Sequence, residues 1–455
     1  MGNNFKELFG KASFDVKREL KKSELSKSSA YASAGERALY ESVNKALRSD
    51  GCEEFGEPVF ESYATDEMPV LFKDVKREIR RIFCKLDDVK ETIGCHPDFT
   101  HLKDSQALEN GYAVTMFFDI AGSTKMGKTY PPDKVFNFKN TVIRYVIEII
   151  QAFDGHVHRI MGDAVMAFFR SHENAKLSRE IDSAIDAVNA GIYILEFMEQ
   201  VVRPELGDAG AEHPIGVRVG IDYAKKNDII WGNYGASGAF EVTATSYNVD
   251  VAAKLQQAAK TDSIMIGENL KALLGLGDEY LSVPFKYHKD ESGNEFKRDY
   301  PYVIPNYRVR GEPINYKQYT IDNKKYFRFL PYGLEHSNID VSLVASLGGA
   351  VTRYNCPCSV SLEKGMSLAF NVTYPSPSQS RLKLKSVKKN TGPDARAHAA
   401  TSPKTRVHEM SYYDGAWHAS VSESTSYHGL HHMTLTIIDE CGAEIDETIF
   451  SIYIK

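Results

Sequence analysis

Apolar positions along this chain change their period more than once, and the changes divide it into regions. Over 70–93, Leu71, Val75, Ile79, Ile82, Phe83 and Leu86 recur every three or four residues, the spacing of one helix face. That stripe needs a partner, either the next domain or a second copy of the chain. The region up to about 110 reads as mostly helical and charged, and the Ser- and Ala-rich stretch over 23–33 as a hinge or disordered segment. Ala113-Val114-Thr115-Met116-Phe117-Phe118 is an uninterrupted apolar run of strand formers, as in a buried strand. Pro131-Pro132-Asp133 then starts a helix whose face is Val135, Phe138, Val142, Tyr145, Val146, Ile149 and Ile150. Strands at 156–160 and 164–169 flank a turn at Met161-Gly162-Asp163. A long helix over about 174–201, strands at 215–222 and 228–231, a helix at 248–259 and a strand at 263–266 complete this part. The order βαββαβ is that of a ferredoxin-like α+β fold. After about 322 the helical period gives way to short strands at 341–347, 359–374, 381–387, 417–424, 433–439 and 449–455, separated by Gly, Pro, Asn and Ser, as in a β-sandwich.

Three units are therefore expected: a helical region over 1–110, a catalytic α+β domain over 111–321, and an all-β sandwich over 322–455, which 455 residues are enough to build. A formal net charge of −6 supplies no global field for nucleic acid or an anionic membrane, and neither is expected as a partner. No apolar run approaches the roughly 20 residues of a membrane helix, and the N-terminal residues Lys6, Glu7, Lys11, Asp15, Lys17 and Arg18 do not resemble a signal peptide. Six cysteines without a CxxC pair are too sparse for a disulfide scaffold or a zinc site. These observations predict a cytoplasmic protein. His428, His431 and His432 read as a His-rich surface rather than a metal site, and the tyrosine-rich 300–332 as strand faces or a contact surface.

Two segments hold the candidate chemistry. Phe117-Phe118-Asp119-Ile120-Ala121-Gly122-Ser123-Thr124 ends a strand with a carboxylate and continues as a small-residue loop into a helix. Arg159-Ile160-Met161-Gly162-Asp163-Ala164-Val165 puts a second carboxylate in a hairpin turn. Two converging carboxylates suit divalent metal ions, and a loop of exposed N–H groups suits phosphate. Together they suggest metal-assisted chemistry on a nucleoside triphosphate.

On these residues, 111 to about 321 resembles the class III nucleotidyl cyclases, the family of adenylate and guanylate cyclases. The strand-end F-x-D-[IL]-x-G-[SF]-T pattern stands as Phe117 to Thr124, the hairpin G-D as Gly162-Asp163, and the closing K-G-x-x-x-P-V signature is loosely matched by Arg310-Gly311-Glu312-Pro313-Ile314. The resemblance implies two divalent metal ions per site, Mg²⁺ or Mn²⁺, on Asp119, Asp163 and the Ile120 carbonyl. It gives Ala121, Gly122, Ser123 and Thr124 the β- and γ-phosphates, and Arg310 the terminal phosphates. It further implies a head-to-tail homodimer in which the base-reading and transition-state residues come from the second protomer.

Those readers depart from the family. The position four before the hairpin Asp is Lys in adenylate and Glu in guanylate cyclases; here it is Arg159. The partner base reader aligns with Thr243, the transition-state Asn with Asp250, and the Arg four residues on with Lys254; Asn248, two residues before Asp250, allows a register slip. Arg159 only donates, so it suits cytosine O2 and N3, with the Thr243 hydroxyl accepting from the exocyclic amine. Uracil fits less well, and the N7/O6 edge of guanine would also suit an arginine. Asp250 near a developing phosphorane calls for a cation, for which Lys254 is the candidate. These departures look like the bacterial pyrimidine cyclases of Pycsar antiphage defence. That likeness implies cyclic CMP or cyclic UMP as product, a separate cyclic-nucleotide-activated effector as its target, and a sensor or adaptor role for the sandwich. An adenylate or guanylate cyclase with unusual base readers, a nucleotide sensor that does not turn over, and a sandwich served by the cyclase fold as a dimerising platform are the alternatives.

Overall fold

The computed structural model describes residues 5–19, 74–85, 92–170, 180–208, 215–236, 239–334, 337–377 and 381–455. The 23–33 stretch, Leu71, Leu86 and the expected helix start near 174 lie outside them. A seven-stranded sheet forms the centre, in the order β3-β4-β2-β5-β8-β14-β9. Its strands are β2 (Ala113–Ala121), β3 (Gly155–Met161), β4 (Ala164–Phe169), β5 (Gly216–Ala224), β8 (Ser263–Gly267), β9 (Leu281–Ser282) and β14 (Gln318–Ile321). Numbered among themselves, the first four strands lie in the ferredoxin-like order 4-1-3-2, and every pairing among them is antiparallel. The expected α+β fold is the observed one.

Local chemistry explains most of the boundaries. Strand β2 is apolar along its length and buried at seven of nine positions, as a central strand covered on both faces must be. Gly122, at φ +86°, turns the chain from β2 into helix α4 (Ser123–Thr129), a conformation that a side chain would strain. Pro132 sits in the first turn of α5 (Pro132–Ala152), where no N–H is missed, and Phe138, Val142, Val146, Ile149 and Ile150 form its buried face. Helix α6 (Glu180–Phe197), continued by a π turn over Met198–Val202 and by α7 (Arg203–Asp208), packs beside α5. Helix α8 (Tyr247–Ala258), capped by the Ser246 hydroxyl accepting from the Asn248 N–H at 3.2 Å, packs on β2, β5 and β8. Its backbone comes so close to β5 that a Cβ on Gly220 would overlap Gln256 N and Ala252 O. Helix α9 (Glu268–Leu274) follows β8 and ends at Gly275 in the left-handed region.

A second, three-stranded sheet has β6 (Ile230–Ala236) between β1 (Leu108–Asn110) and β7 (Ala239–Thr245). Trp231 fixes it in place, stacked on Phe99 at 4.1 Å and set edge-on to Phe168 at 4.8 Å. The strand expected at 228–231 starts later, at Ile230, because 226–228 closes a 3₁₀ turn. Two hairpins, β10 (Phe285–Lys289) with β11 (Glu295–Asp299) and β12 (Arg308–Val309) with β13 (Glu312–Pro313), precede β14.

The N-terminal helices α1 (Phe5–Leu8), α2 (10–19) and α3 (Val75–Ile82) join the same core as α5 and α6. The stripe through Val75, Ile79 and Phe83 thus finds its partner within the chain: Phe83 meets Phe153 at 4.7 Å and Tyr193 at 5.4 Å. Helix α10 (Asn323–Phe327) leads into two five-stranded sheets. One runs β16 (Ala350–Tyr354), β15 (Asp340–Leu347), β18 (Ser367–Tyr374), β22 (Ala416–Ser424), β21 (Ser411–Tyr413). The other runs β17 (Ser361–Leu362), β24 (Glu444–Ile454), β23 (Gly429–Ile438), β19 (Lys383–Asn390), β20 (Lys404–Glu409). Leu343, Phe370, Val421, Leu384, Leu435 and Phe450 fill the space between them. Helix α11 (Gly392–Ala397) follows β19. Strands β16, β20 and β21 had no apolar alternation to reveal them, since nearly all their residues are exposed or half-buried edge positions.

The sandwich shares buried polar contacts with helices α6 and α10. The Tyr453 hydroxyl lies 3.0 Å from that of Tyr326, which donates to Asn189 Oδ1 at 3.1 Å, while Asn189 donates to the Cys358 carbonyl at 2.8 Å. Cys84, just past α3, is joined to Cys356 of the sandwich by a disulfide, a pairing their 272-residue separation gave no reason to expect. The three histidines are structural. Buried His431 accepts from the Thr391 N–H at 3.2 Å and donates to the Tyr427 carbonyl at 2.7 Å, contrary to the expected His-rich surface. Among the described residues no helix is long and apolar enough to cross a membrane.

Two outcomes follow from this packing. Gly220→Ala should lower stability by about 1–3 kcal/mol in denaturant unfolding, since the α8 backbone must move away from β5; an unchanged midpoint would refute that contact. Burial, together with neighbouring cations, pushes His431 and His432 down to about 4, below an unfolded value near 6.5. Between those values the unfolded chain binds more protons, so stability should be full above about pH 6.5 and fall as pH drops towards about 4, as chemical denaturation at stepped pH would measure.

Candidate active site

The backbone brings Asp119 and Asp163 side by side at one end of the central sheet. Asp119 pairs in register with Ala164 on β4 and with Arg218 on β5, and the Ile120 N–H donates to the Asp163 carbonyl at 3.2 Å. Asp163 sits in the two-residue turn between β3 and β4, behind Gly162 at φ +67°. The sequence-predicted pair is thus a strand residue and the turn of the adjoining hairpin, tied through backbone.

Each carboxylate already faces a cation of its own chain. The Arg218 guanidinium binds Asp119, with Nε at 3.2 Å, and the Lys139 ammonium on α5 lies 3.3 Å from Asp163. Ser123 Oγ, nearly fully buried, donates to the Asp163 carboxylate. Burial alone would raise the Asp163 carboxyl, but the Ser123 hydroxyl, its own backbone N–H and Lys139 outweigh that and hold it below the ordinary carboxylate value. The residues fit a divalent ion. The donors are all hard oxygens, and the two cations show that negative charge gathers here and is compensated. Among the described residues no three His, Cys, Asp or Glu side chains cluster elsewhere as a competing site. Sequence reasoning missed Arg218 and Lys139. Arg218 had a signal, being the lone charge in the run Gly216-Val217-Arg218-Val219-Gly220; Lys139, one more lysine on a helix, had none.

The expected base readers also come together, with two further residues. A β-bulge between Val157 and Arg159 leaves His158 as the extra residue, and both His158 and Arg159 reach β7. Arg159 donates through Nε to Glu241 Oε2 at 2.7 Å, and its Nη2 forms an ion pair with Glu241 Oε1. Buried His158 lies between the Gly94 carbonyl, 2.9 Å from Nδ1, and Thr243 Oγ1, 2.9 Å from Nε2. Burial first, and then the Arg159 charge, push the His158 imidazole below its ordinary value against the Gly94 bond, which favours the neutral ring. Glu241 and His158 were not legible, because no sequence spacing reports a bulge.

Helix α8 gives Asn248 and Asp250 different surroundings. Asn248 is buried, donating to Asp222 at 2.8 Å and lying 3.0 Å from the Tyr316 hydroxyl, whereas Asp250 is exposed. Burial pushes the fully enclosed Asp222 up to about 7, with the Asn248 and Tyr316 hydrogen bonds opposing it. This knot anchors the helix that presents Asp250 and Lys254. The expected pairing of those two does not form: the Lys254 ammonium instead lies 5.7 Å from the centroid of the Tyr307 ring. Arg310 occupies the tip of the β12–β13 hairpin, exposed, at φ +53°. No hydrogen bond or ion pair within the chain links Asp119 or Asp163 to Arg159, Thr243, Asp250, Lys254 or Arg310.

The sequence profile described as the adenylate and guanylate cyclase catalytic domain matches residues 107–294. The chain is 39% identical over 399 residues to a cytidylate cyclase of Escherichia coli, covering 85% of this chain and 84% of the relative. A second cytidylate cyclase of Escherichia coli is 30% identical over 425 residues, covering 87% and 90%, and one of Staphylococcus aureus is 29% identical over 403 residues, covering 83% and 87%. Fold and site define a class III cyclase domain. The chain belongs to that family and is a nucleotidyl cyclase.

Removing the Ser123 hydroxyl takes away the largest interaction holding the Asp163 carboxyl down. In Ser123→Ala, Asp163 should titrate at higher pH than in the parent chain, followed by carboxyl ¹³C NMR; an unmoved titration would contradict the geometry.

Proposed function

We propose that the enzyme converts a pyrimidine nucleoside triphosphate, CTP in preference to UTP, to its 3′,5′-cyclic monophosphate and pyrophosphate. The observation that carries this reading is the pair of opposed edges at the sheet end: an Asp119–Asp163 oxygen site, and beside it on the same hairpin an arginine held by Glu241 next to the Thr243 hydroxyl. The cytidylate cyclases to which the chain is similar along most of their length support the same choice of base.

In this reading the ribose 3′-oxygen attacks the α-phosphorus, the bond to the bridging oxygen of pyrophosphate breaks in line, and the hydroxyl proton passes to solvent. Asp119, Asp163 and the Ile120 carbonyl would hold two Mg²⁺ or Mn²⁺ ions. When bound, the ions supply Lewis acidity at the 3′-oxygen and charge neutralisation on the departing pyrophosphate. Ser123 fixes the Asp163 carboxylate, and backbone N–H groups from Ala121, Gly122, Ser123 and Thr124 receive the β- and γ-phosphates. Arg310 approaches the terminal phosphates from its hairpin tip. Lys254 places positive charge at the α-phosphate, and Asp250 stands at the family's transition-state position on the same helix face.

That no hydrogen bond or ion pair joins these two sets within one chain supports a head-to-tail homodimer with two equivalent sites, Asp119 and Asp163 from one protomer and Arg159, Thr243, Asp250 and Lys254 from its partner. The catalytic unit is 111–321, with a helical region over 1–110 before it and a sensor or adaptor sandwich over 322–455 after it. Cyclic CMP would serve as a cytoplasmic second messenger of antiphage defence, acting on a separate effector protein.

Incubation of the full chain with each of the four ribonucleoside triphosphates and Mn²⁺, with products identified by mass, tests this reading. Cyclic CMP as the main product supports it; cyclic AMP or GMP as the main product rejects the base assignment. Asp119→Ala should lose at least about a hundredfold of the activity while sedimenting as the same dimer, and a fully active variant rejects the carboxylate site.

A further inference from the structure

The hydrogen bonds around His158 fix more than its position. The Gly94 carbonyl carries no proton, yet His158 Nδ1 lies 2.9 Å from it and His156 Nε2 3.0 Å from it, so both rings donate to that oxygen. With the single proton of a neutral ring on Nδ1, His158 Nε2 is a bare acceptor. Its neighbour at 2.9 Å, Thr243 Oγ1, must then donate to it. A hydroxyl has one proton. Glu241, whose Oε2 lies 3.8 Å from Nε2, is neutralised by the two-point grip of Arg159 and does not draw a second proton onto the ring.

We infer that His158 is a specificity-determining positioning residue: by taking the Thr243 proton it leaves that hydroxyl only lone pairs to offer, so the site reads an exocyclic amine. The inference rests on the reading above, in which Thr243 and Arg159 face the base. Glu241 complements it. With Nε and Nη2 on Glu241, the guanidinium has no partner at Nη1 among the described residues, and that edge is a pure donor. An acceptor beside a donor edge matches cytosine, whose amine lies next to N3 and O2. Uracil presents O4 to the lone pairs and N3–H to the guanidinium, two mismatched contacts. Adenine offers an amine and N1 but a C–H where cytosine has O2, so one guanidinium proton goes unpaired. The bulge that puts His158 and Arg159 both against β7, where Glu241 and Thr243 share a face two residues apart, is what builds this reader.

The test is the ratio of kcat/KM for CTP to that for UTP in the full chain with Mn²⁺. His158→Phe keeps a ring, leaves the Gly94 carbonyl its bond from His156, and frees the Thr243 hydroxyl to turn and donate to O4. The ratio should fall at least about tenfold, largely through better use of UTP. In a Thr243→Val background the same substitution should leave the ratio unchanged, because His158 acts only through that hydroxyl. An unaltered ratio in a folded, dimeric His158→Phe, or an equal fall in both backgrounds, overturns the inference. Imidazole ¹⁵N shifts of the parent protein decide it independently of how the variants fold: a neutral Nδ1–H tautomer supports it and an Nε2–H tautomer overturns it. A parent enzyme that makes neither cyclic CMP nor cyclic UMP defeats the base reading itself, while the tautomer remains separately measurable.

Discussion

Strand β2 is paired antiparallel on both edges, to β4 over Val114 to Asp119 and to β5 over Ala113 to Ala121, and Val114, Met116 and Phe118 are sealed in the core. A slip of one residue in either register would exchange the two buried faces of β2, setting Val114, Met116 and Phe118 against the Trp231 side and moving Asp119 off its place beside Ala164 and Arg218, so the ladder fixes the position of the carboxylate. The other site residues take their places from the same frame. The hairpin carrying Asp163 and Arg159 hangs from β4, Arg218 stands across from Asp119 on β5, and α8 lies against the sheet because Gly220 has no side chain. Placing charged groups at the rim of a buried sheet costs little there, since the rim is where backbone hydrogen bonding runs out and solvent begins.

How much of this was legible depended on whether a feature was periodic. The apolar run of β2, the α5 face and the Gly-Asp turn announced themselves, and the βαββαβ order and the strand-rich C-terminal region followed from them. Asp119 and Asp163 were legible for a related reason: each ends an element whose pattern is strong. Features made by two distant segments were silent. Arg159 reads as an ordinary hairpin residue until Glu241 is seen beside it, and His158 as one more strand position until the bulge turns it onto Thr243. The edge strands β16, β20 and β21 hid for the opposite reason, because solvent rather than packing surrounds them. Asn248 and Asp250 could not be told apart by spacing, and burial against Asp222 and Tyr316 separates them.

The two halves of the site differ in how rigidly they are made. The carboxylate end is held by backbone pairing and by cations that a divalent ion would replace, so its electrostatics must rearrange on loading. The proposed base-reading end is already held in place within one chain, by hydrogen bonds from Gly94 through His158 to Thr243 and from Arg159 to Glu241. Preorganisation of that kind lowers the ordering cost of binding and makes a mismatched base expensive, because its polar atoms find partners of the wrong sense.

The sandwich is welded to the centre of the enzyme. Its last strand supplies Tyr453 to the chain of hydroxyls that ends on Asn189 in the middle of α6, the Ser361 N–H and hydroxyl both rest on Asp182 of the same helix, and Cys358 and Tyr453 lie in one core with Phe5, Tyr193 and Phe327. Helix α6 lies in turn against β2 and β5, the strands that carry Asp119 and Arg218. Among the described residues, packing therefore runs without interruption from the last strand of the sandwich through α6 to the strands that carry Asp119 and Arg218.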